Sequence, residues 1–211
     1  MDIEGLSFND AGLLPVVIAD AASGAILTLA WADRGAIERT LETRETHLYS
    51  RSRRAPWRKG ESSGHTQRVL EVLADCDGDA VVYRVDPHGP ACHTGATSCF
   101  HRSLMPLEGP DPAALARALT HLQRIARERK SDPPAGSYIA QLFAGGVDRI
   151  GKKIGEEATE VVIAAKNADE NELVWEAADL LFHLVVMLEA RNVSLERVGE
   201  HLLTRAQPKE S

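Results

Sequence analysis

Cysteine is scarce in this sequence: Cys76, Cys92 and Cys99 are the only three among 211 residues. In a reducing compartment so few cysteines do not pair as disulfides, which leaves metal binding or catalysis as their tasks. An odd number suits a three-thiolate zinc site with an open fourth position better than a closed structural one. Long apolar runs are also missing. The stretches 13–19 and 180–188 are too short or too interrupted to span a bilayer, so no membrane contact is expected. No basic region precedes an apolar core near Met1, so the expected location is the cytoplasm. Excess positive charge is absent as well. A net charge of −7 argues against a nucleic-acid surface, where a basic stripe would be expected.

What the sequence does contain falls into two halves. Apolar runs at 15–19, 26–31, 47–50, 69–74 and 80–85, separated by turn signals, read as strands. Residues 34–43 read as a helix capped by Asp33. Prolines and glycines then cluster from 105 to 113, as in a linker. Beyond them, apolar spacings of three and four predict helices at 115–130, 138–144, 147–167, 170–191 and 194–204. The expected fold is therefore two domains: a β-rich α+β domain over 1–108, a linker at 109–114, and an all-α domain over 115–211.

Within the helical half, Glu156, Glu157 and Glu160 lie at i, i+1 and i+4 of one helix. Glu172, Glu176 and Asp179 follow on the next, with His183 continuing the stripe. A short connection makes the two helices antiparallel neighbours, so their carboxylates can converge on one divalent cation. Magnesium held this way bridges carboxylates to substrate phosphates, within reach of Lys152 and Lys153. A solvated acidic face explains the same spacing equally well.

In the β-rich half, Asp75, Asp77 and Asp79 alternate around Cys76. An extended segment would put the acids on one face and Cys76 on the other, whereas a turn at Gly78 would let the acids wrap one cation. Cys92 and Cys99, six residues apart, are a weak zinc signal alone and a stronger one beside that triplet. Trp57, Lys59, Ser62, Ser63 and His65 belong to a Gly/Ser-rich polar loop that could cradle phosphate through its N–H groups. The basic run 51–54 before it reads as a solvated rim.

Two resemblances gather these motifs. Gly155-Glu156-Glu157-Ala158-Thr159-Glu160 followed by Glu176-Ala177-Ala178-Asp179-Leu180 resembles the EExxE…ExxD pattern of all-α nucleotide pyrophosphohydrolases. Residues 138–188 are more narrowly similar to phosphoribosyl-ATP pyrophosphohydrolase of histidine biosynthesis. The resemblance implies that Glu156, Glu157, Glu160 and Asp179 ligate magnesium, with Glu176 beside them and Lys153 on phosphate. The runs W-x-K-G-E-x-S-G-x-T-Q, D-C-D-x-D and C-H-T-G-x-x-S-C resemble phosphoribosyl-AMP cyclohydrolase of the same pathway, with Ser62 where threonine is frequent. That resemblance implies magnesium on Asp75, Asp77 and Asp79. It implies zinc on Cys76, Cys92 and Cys99 across a homodimer interface, with His65 and His93 as candidate proton carriers. Lys59 joins them as a candidate catalytic and substrate-binding residue, and Trp57, Ser62 and Ser63 as substrate contacts.

The expected function is two consecutive hydrolyses: phosphoribosyl-ATP to phosphoribosyl-AMP and pyrophosphate, then opening of the adenine ring. A broad nucleotide pyrophosphohydrolase with a zinc-stabilised specificity module, a metal-dependent deaminase and a non-enzymatic zinc scaffold are the alternatives. The deaminase lacks its H-x-E and P-C-x-x-C signature.

Overall fold

The computed structural model describes residues 3–206, and the chain folds as two compact units, 1–108 and 109–211. The first unit is built on six strands: β1 (Leu14–Asp20), β2 (Ile26–Ala32), β3 (His47–Ser50), β4 (Ala55–Arg58), β5 (Gln67–Ala74) and β6 (Val81–Pro87). They form one sheet in the order β4-β3-β2-β1-β6-β5. Only the β1–β6 pair is parallel. Helix α1 (Arg34–Thr43) starts where the Asp33 carboxylate accepts from the Ala36 N–H, at 2.7 Å. That cap satisfies one of the amides the first helical turn leaves orphaned.

Strand alternation sends Val16, Ile18, Tyr83, Val85 and Leu48 to one face, where they pack with Ala36 and Ile37 of α1 as a fully buried core. Each large side chain so buried contributes ~1.5–3 kcal/mol relative to exposure. Segment 44–46 then lies along the free edge of β5, through Thr46 N–H to the Gln67 carbonyl and Val69 N–H to the Arg44 carbonyl. Lys59 N–H bonds the Thr46 carbonyl in turn. Both sheet edges thus meet the same segment, and the sheet curls into a half-barrel.

Strand β4 corrects the sequence reading, which places Trp57 and Arg58 in the polar loop. Pro56 and the preceding arginines hide a strand that exists because 55–58 finds β3 in register, His47 opposite Arg58 and Leu48 opposite Trp57. Arg53 lays its guanidinium 5.9 Å from the Trp57 ring centroid, so part of the basic rim is stacked.

The second unit contains α2 (Ala114–Ser131), α3 (Tyr138–Ala144), α4 (Gly146–Ala164), α5 (Glu170–Ala190) and α6 (Leu195–Ala206). Ile139, Leu142, Ile150, Ala126 and Val186 form its core. Among the described residues, no helix is long and apolar enough to cross a membrane.

Candidate active sites

In the first unit, the three aspartates sit on the turn that joins β5 to β6. Gly78 adopts φ +76°, and a Cβ there would collide with the Gly5 carbonyl, so the turn needs glycine. The turn brings Asp75, Asp77 and Asp79 together, each offering a carboxylate oxygen within 4.8 Å of the others. Hydrogen bonding to Asp75 and the charges of Asp77 and Asp75 push the Asp79 carboxyl up. Asp75 is shifted down, because hydrogen bonds from Ala80, Asp79 and Gly78 outweigh its desolvation. Three acids in that arrangement share protons or a cation. Cys76, between them, is exposed.

Cys92 and Cys99 lie past the opposite end of the same hairpin. The ladder runs from Ala74 opposite Val81 to Gln67 opposite Pro87, and His88 N–H to the Thr66 carbonyl extends it. A tight turn then sets Cys92, and Cys99 is fixed against β2 by its N–H on the Leu27 carbonyl at 2.7 Å. The Thr94 hydroxyl donates to the Cys92 sulfur at 3.1 Å. That bond, with the Thr94 amide and Cys99, holds the buried Cys92 thiol below its ordinary pKa. His93 Nδ1 stands 3.9 Å from the same sulfur.

A cavity of ≈ 480 Å³ opens here and gathers Trp57, Lys59, Ser63, His65, Cys92, His93 and Cys99. The loop carrying Lys59, Ser63 and His65 is seated closely. His65 packs so tightly on Gly89, at φ +101°, that a Cβ there would strike its ring. The Lys59 ammonium donates to the Ala91 carbonyl at 2.9 Å. Ser62 does not line the cavity. Among the described residues, the cysteines enter no group of three or more potential metal ligands, whereas the aspartates do.

In the second unit, α4 and α5 bring Glu157, Glu176 and Asp179 together, with carboxylate oxygens mutually within 4.8 Å. Glu157 is 5% exposed, and a carboxylate so buried needs compensation. Lys153 supplies part of it, its Nζ 3.2 Å from Glu157 and 2.9 Å from Glu156. Those carboxylates push the Lys153 pKa up. Glu160 adjoins the trio: a hydrogen bond with Glu157, and then the charge of Glu176, raise its pKa. Glu156 stands outside the trio and pairs with Lys152 and Lys153 instead. Sequence spacing shows the acidic stripe with His183 continuing it, but not that His183 is buried with its ring against Tyr138 and Glu157.

Two family models match this chain. Phosphoribosyl-AMP cyclohydrolase covers residues 28–101, and phosphoribosyl-ATP pyrophosphohydrolase covers 119–206. The histidine biosynthesis bifunctional protein HisIE of Thermus thermophilus is 53% identical over 209 residues, covering 99% of this chain and 96% of the relative. The HisIE of Deinococcus radiodurans is 54% identical over 193 residues, covering 92% and 88%. That of Bacillus subtilis is 49% identical over 200 residues, covering 95% and 94%. With both models in this order and relatives matched along nearly their whole length, the chain belongs to the bifunctional HisIE family, with its cyclohydrolase in the N-terminal region and its pyrophosphohydrolase in the C-terminal region.

Proposed function

We propose that the two hydrolyses run on separate cation-ligand sets and that the zinc set is completed by a second copy of the chain. The pyrophosphohydrolase set is Glu157, Glu176 and Asp179 with Glu160 beside them, holding magnesium. Glu156 serves it indirectly by pairing with Lys153. The cyclohydrolase takes magnesium on Asp75, Asp77 and Asp79 and zinc on Cys92, Cys99 and the Cys76 of the other copy. The donor chemistry fits, since clustered carboxylates suit a hard cation and thiolates suit zinc. The bound cations supply Lewis acidity and a nucleophilic water near neutral pH.

The observation that carries the shared site is the length of one hairpin. Cys76 lies beyond one end of the β5–β6 ladder and Cys92 beyond the other. Eight residues of β5 span roughly 26 Å at about 3.3 Å per residue, so the three sulfurs of one chain do not converge. A second copy bringing its aspartate turn to this cavity makes them converge. The outer sheet face favours such a partner. Leu29, Val17, Val82 and Leu73 align directly across β2, β1, β6 and β5, with Leu29 and Leu73 exposed. An apolar row of this kind is a liability unless covered.

In the ring-opening step, the chain's own groups position and exchange protons. The Trp57 indole offers a face for the adenine base, and Ser63 offers a hydroxyl to phosphate. His65 and His93 line the cavity where a proton must move to the ring nitrogen. Lys59 braces the Cys92 turn from inside the cavity. Ser62, outside the cavity, would reach substrate only if its loop moved. In pyrophosphate release, Lys153 offsets the carboxylate charge and is placed for phosphate oxygens. The reducing cytoplasm is the compartment in which these cysteines stay thiols.

Mixing subunits tests the shared site. Cys76→Ser and Cys92→Ser should each abolish ring opening alone. Co-refolded, they place both changes in one site of a heterodimer and leave the other intact, so ring opening and bound zinc return. Absence of both in a verified heterodimer would show that each chain holds its own zinc.

A further inference from the structure

His183 lies at the meeting point of three helices, next to the carboxylate trio. It is 4% exposed, and its Nδ1 is 2.8 Å from the Asp179 backbone carbonyl. A carbonyl only accepts, so Nδ1 carries the proton. In the neutral ring Nε2 is then the acceptor, and the Tyr138 hydroxyl, 3.1 Å away, donates to it. The same Nδ1 is 3.8 Å from Oε1 of Glu157. That is too long for a hydrogen bond but close enough to orient the oxygen electrostatically. The ring is further fixed by Phe182, edge-on at 5.0 Å between centroids, while Tyr138 stacks on Phe182 at 6.0 Å.

The geometry points to Tyr138 and His183 as positioning residues that hold Glu157 of α4 and Asp179 of α5 at the spacing a divalent cation requires. Tyr138, the first residue of α3, is 43% exposed, yet its hydroxyl is spent on a buried ring. A packing role alone would need only the ring of a phenylalanine. The hydroxyl orients the imidazole. The imidazole in turn fixes the Asp179 backbone and faces Glu157. Outer partners that orient ligands in this way set cation affinity without touching the cation.

This inference rests on reading Glu157, Glu176 and Asp179 as a cation site, and the experiment separates the two. Mn²⁺ binding is measured by electron paramagnetic resonance in the full-length Asp77→Asn chain, where the aspartate turn is disabled. The added variants are Glu157→Gln, Tyr138→Phe, His183→Leu, His183→Asn and His183→Gln. The parent should bind Mn²⁺, and Glu157→Gln should lose it. If the parent does not bind, or Glu157→Gln binds equally well, the cation site falls and this inference with it. If the site stands, Tyr138→Phe should weaken binding about 10-fold and His183→Leu about 10–100-fold. Asparagine, which places a donor near Nδ1, should restore more affinity than glutamine. In the otherwise wild-type chain, pyrophosphate release by Tyr138→Phe should need more magnesium yet approach the normal kcat at saturation. Mn²⁺ affinities unchanged in Tyr138→Phe would overturn the inference even if His183→Leu failed to fold. So would a lower melting temperature with unchanged affinity.

Discussion

The Lys59 ammonium is hydrogen-bonded to the Ala91 carbonyl at 2.9 Å, tying the loop after β4 to the turn that presents Cys92. The bond joins two segments 32 residues apart and makes one wall of the cavity a single unit. Lys59 is thus engaged with backbone before any substrate arrives.

Replacing Lys59 by Met should therefore loosen the Cys92 turn. A hydrogen bond from a charged donor is worth ~1.5–3 kcal/mol, so ring opening should fall about 10–100-fold. Pyrophosphate release from phosphoribosyl-ATP should be untouched. Steady-state assays of the two steps on one preparation check this.

Tyr83 gives a pH prediction for the first unit. Its side chain is fully buried, with its hydroxyl facing Thr40. Burial pushes its pKa up from 10.0 to about 12. Because the folded value lies above the unfolded one, the folded state keeps its proton longer. The associated stability is fully present below pH 10 and is lost as pH rises through about 12. The loss should be on the order of 2–3 kcal/mol. Tyr83→Phe should lack that component and be about as stable at pH 7, since Thr40 keeps its bonds to the Ala36 carbonyl and the His47 N–H. Urea unfolding at pH 7 and across the alkaline range, compared between the two proteins, reads the difference.

Lys153 sits 2.9 Å from Glu156 and 3.2 Å from Glu157, so it would compete with the proposed magnesium for the same carboxylates. Lys153→Met should bind magnesium several-fold more tightly, because the trio keeps more of its charge. Its KM for phosphoribosyl-ATP should rise about 10-fold through loss of a phosphate contact. Magnesium titration by calorimetry alongside KM separates the two effects.

Local signals carried much of this molecule. Helix α1 was readable because Asp33 and the apolar spacing after it agree, and α4 and α5 because their stripes run four turns or more. The aspartate triplet was visible, but its spacing allowed an extended or a turned form; the Gly78 conformation decides between them. Strand β4 was hidden because Pro56 and its arginine neighbours have no strand character until β3 pairs with them. The cavity joins residues near 60 to residues near 90, and no periodicity reports such a meeting. Spacing places His183 in the stripe, but its partner Tyr138 comes from another helix, 45 positions away.

The division of labour is tested most directly by product analysis with phosphoribosyl-ATP, and separately with phosphoribosyl-AMP, for Cys92→Ser, Glu157→Gln and their mixture. Cys92→Ser should release pyrophosphate and accumulate phosphoribosyl-AMP. Glu157→Gln should release no pyrophosphate yet open the ring of added phosphoribosyl-AMP. The mixture should carry phosphoribosyl-ATP through to the ring-opened product. Loss of pyrophosphate release in a folded Cys92→Ser protein, or its retention in Glu157→Gln, would contradict the account.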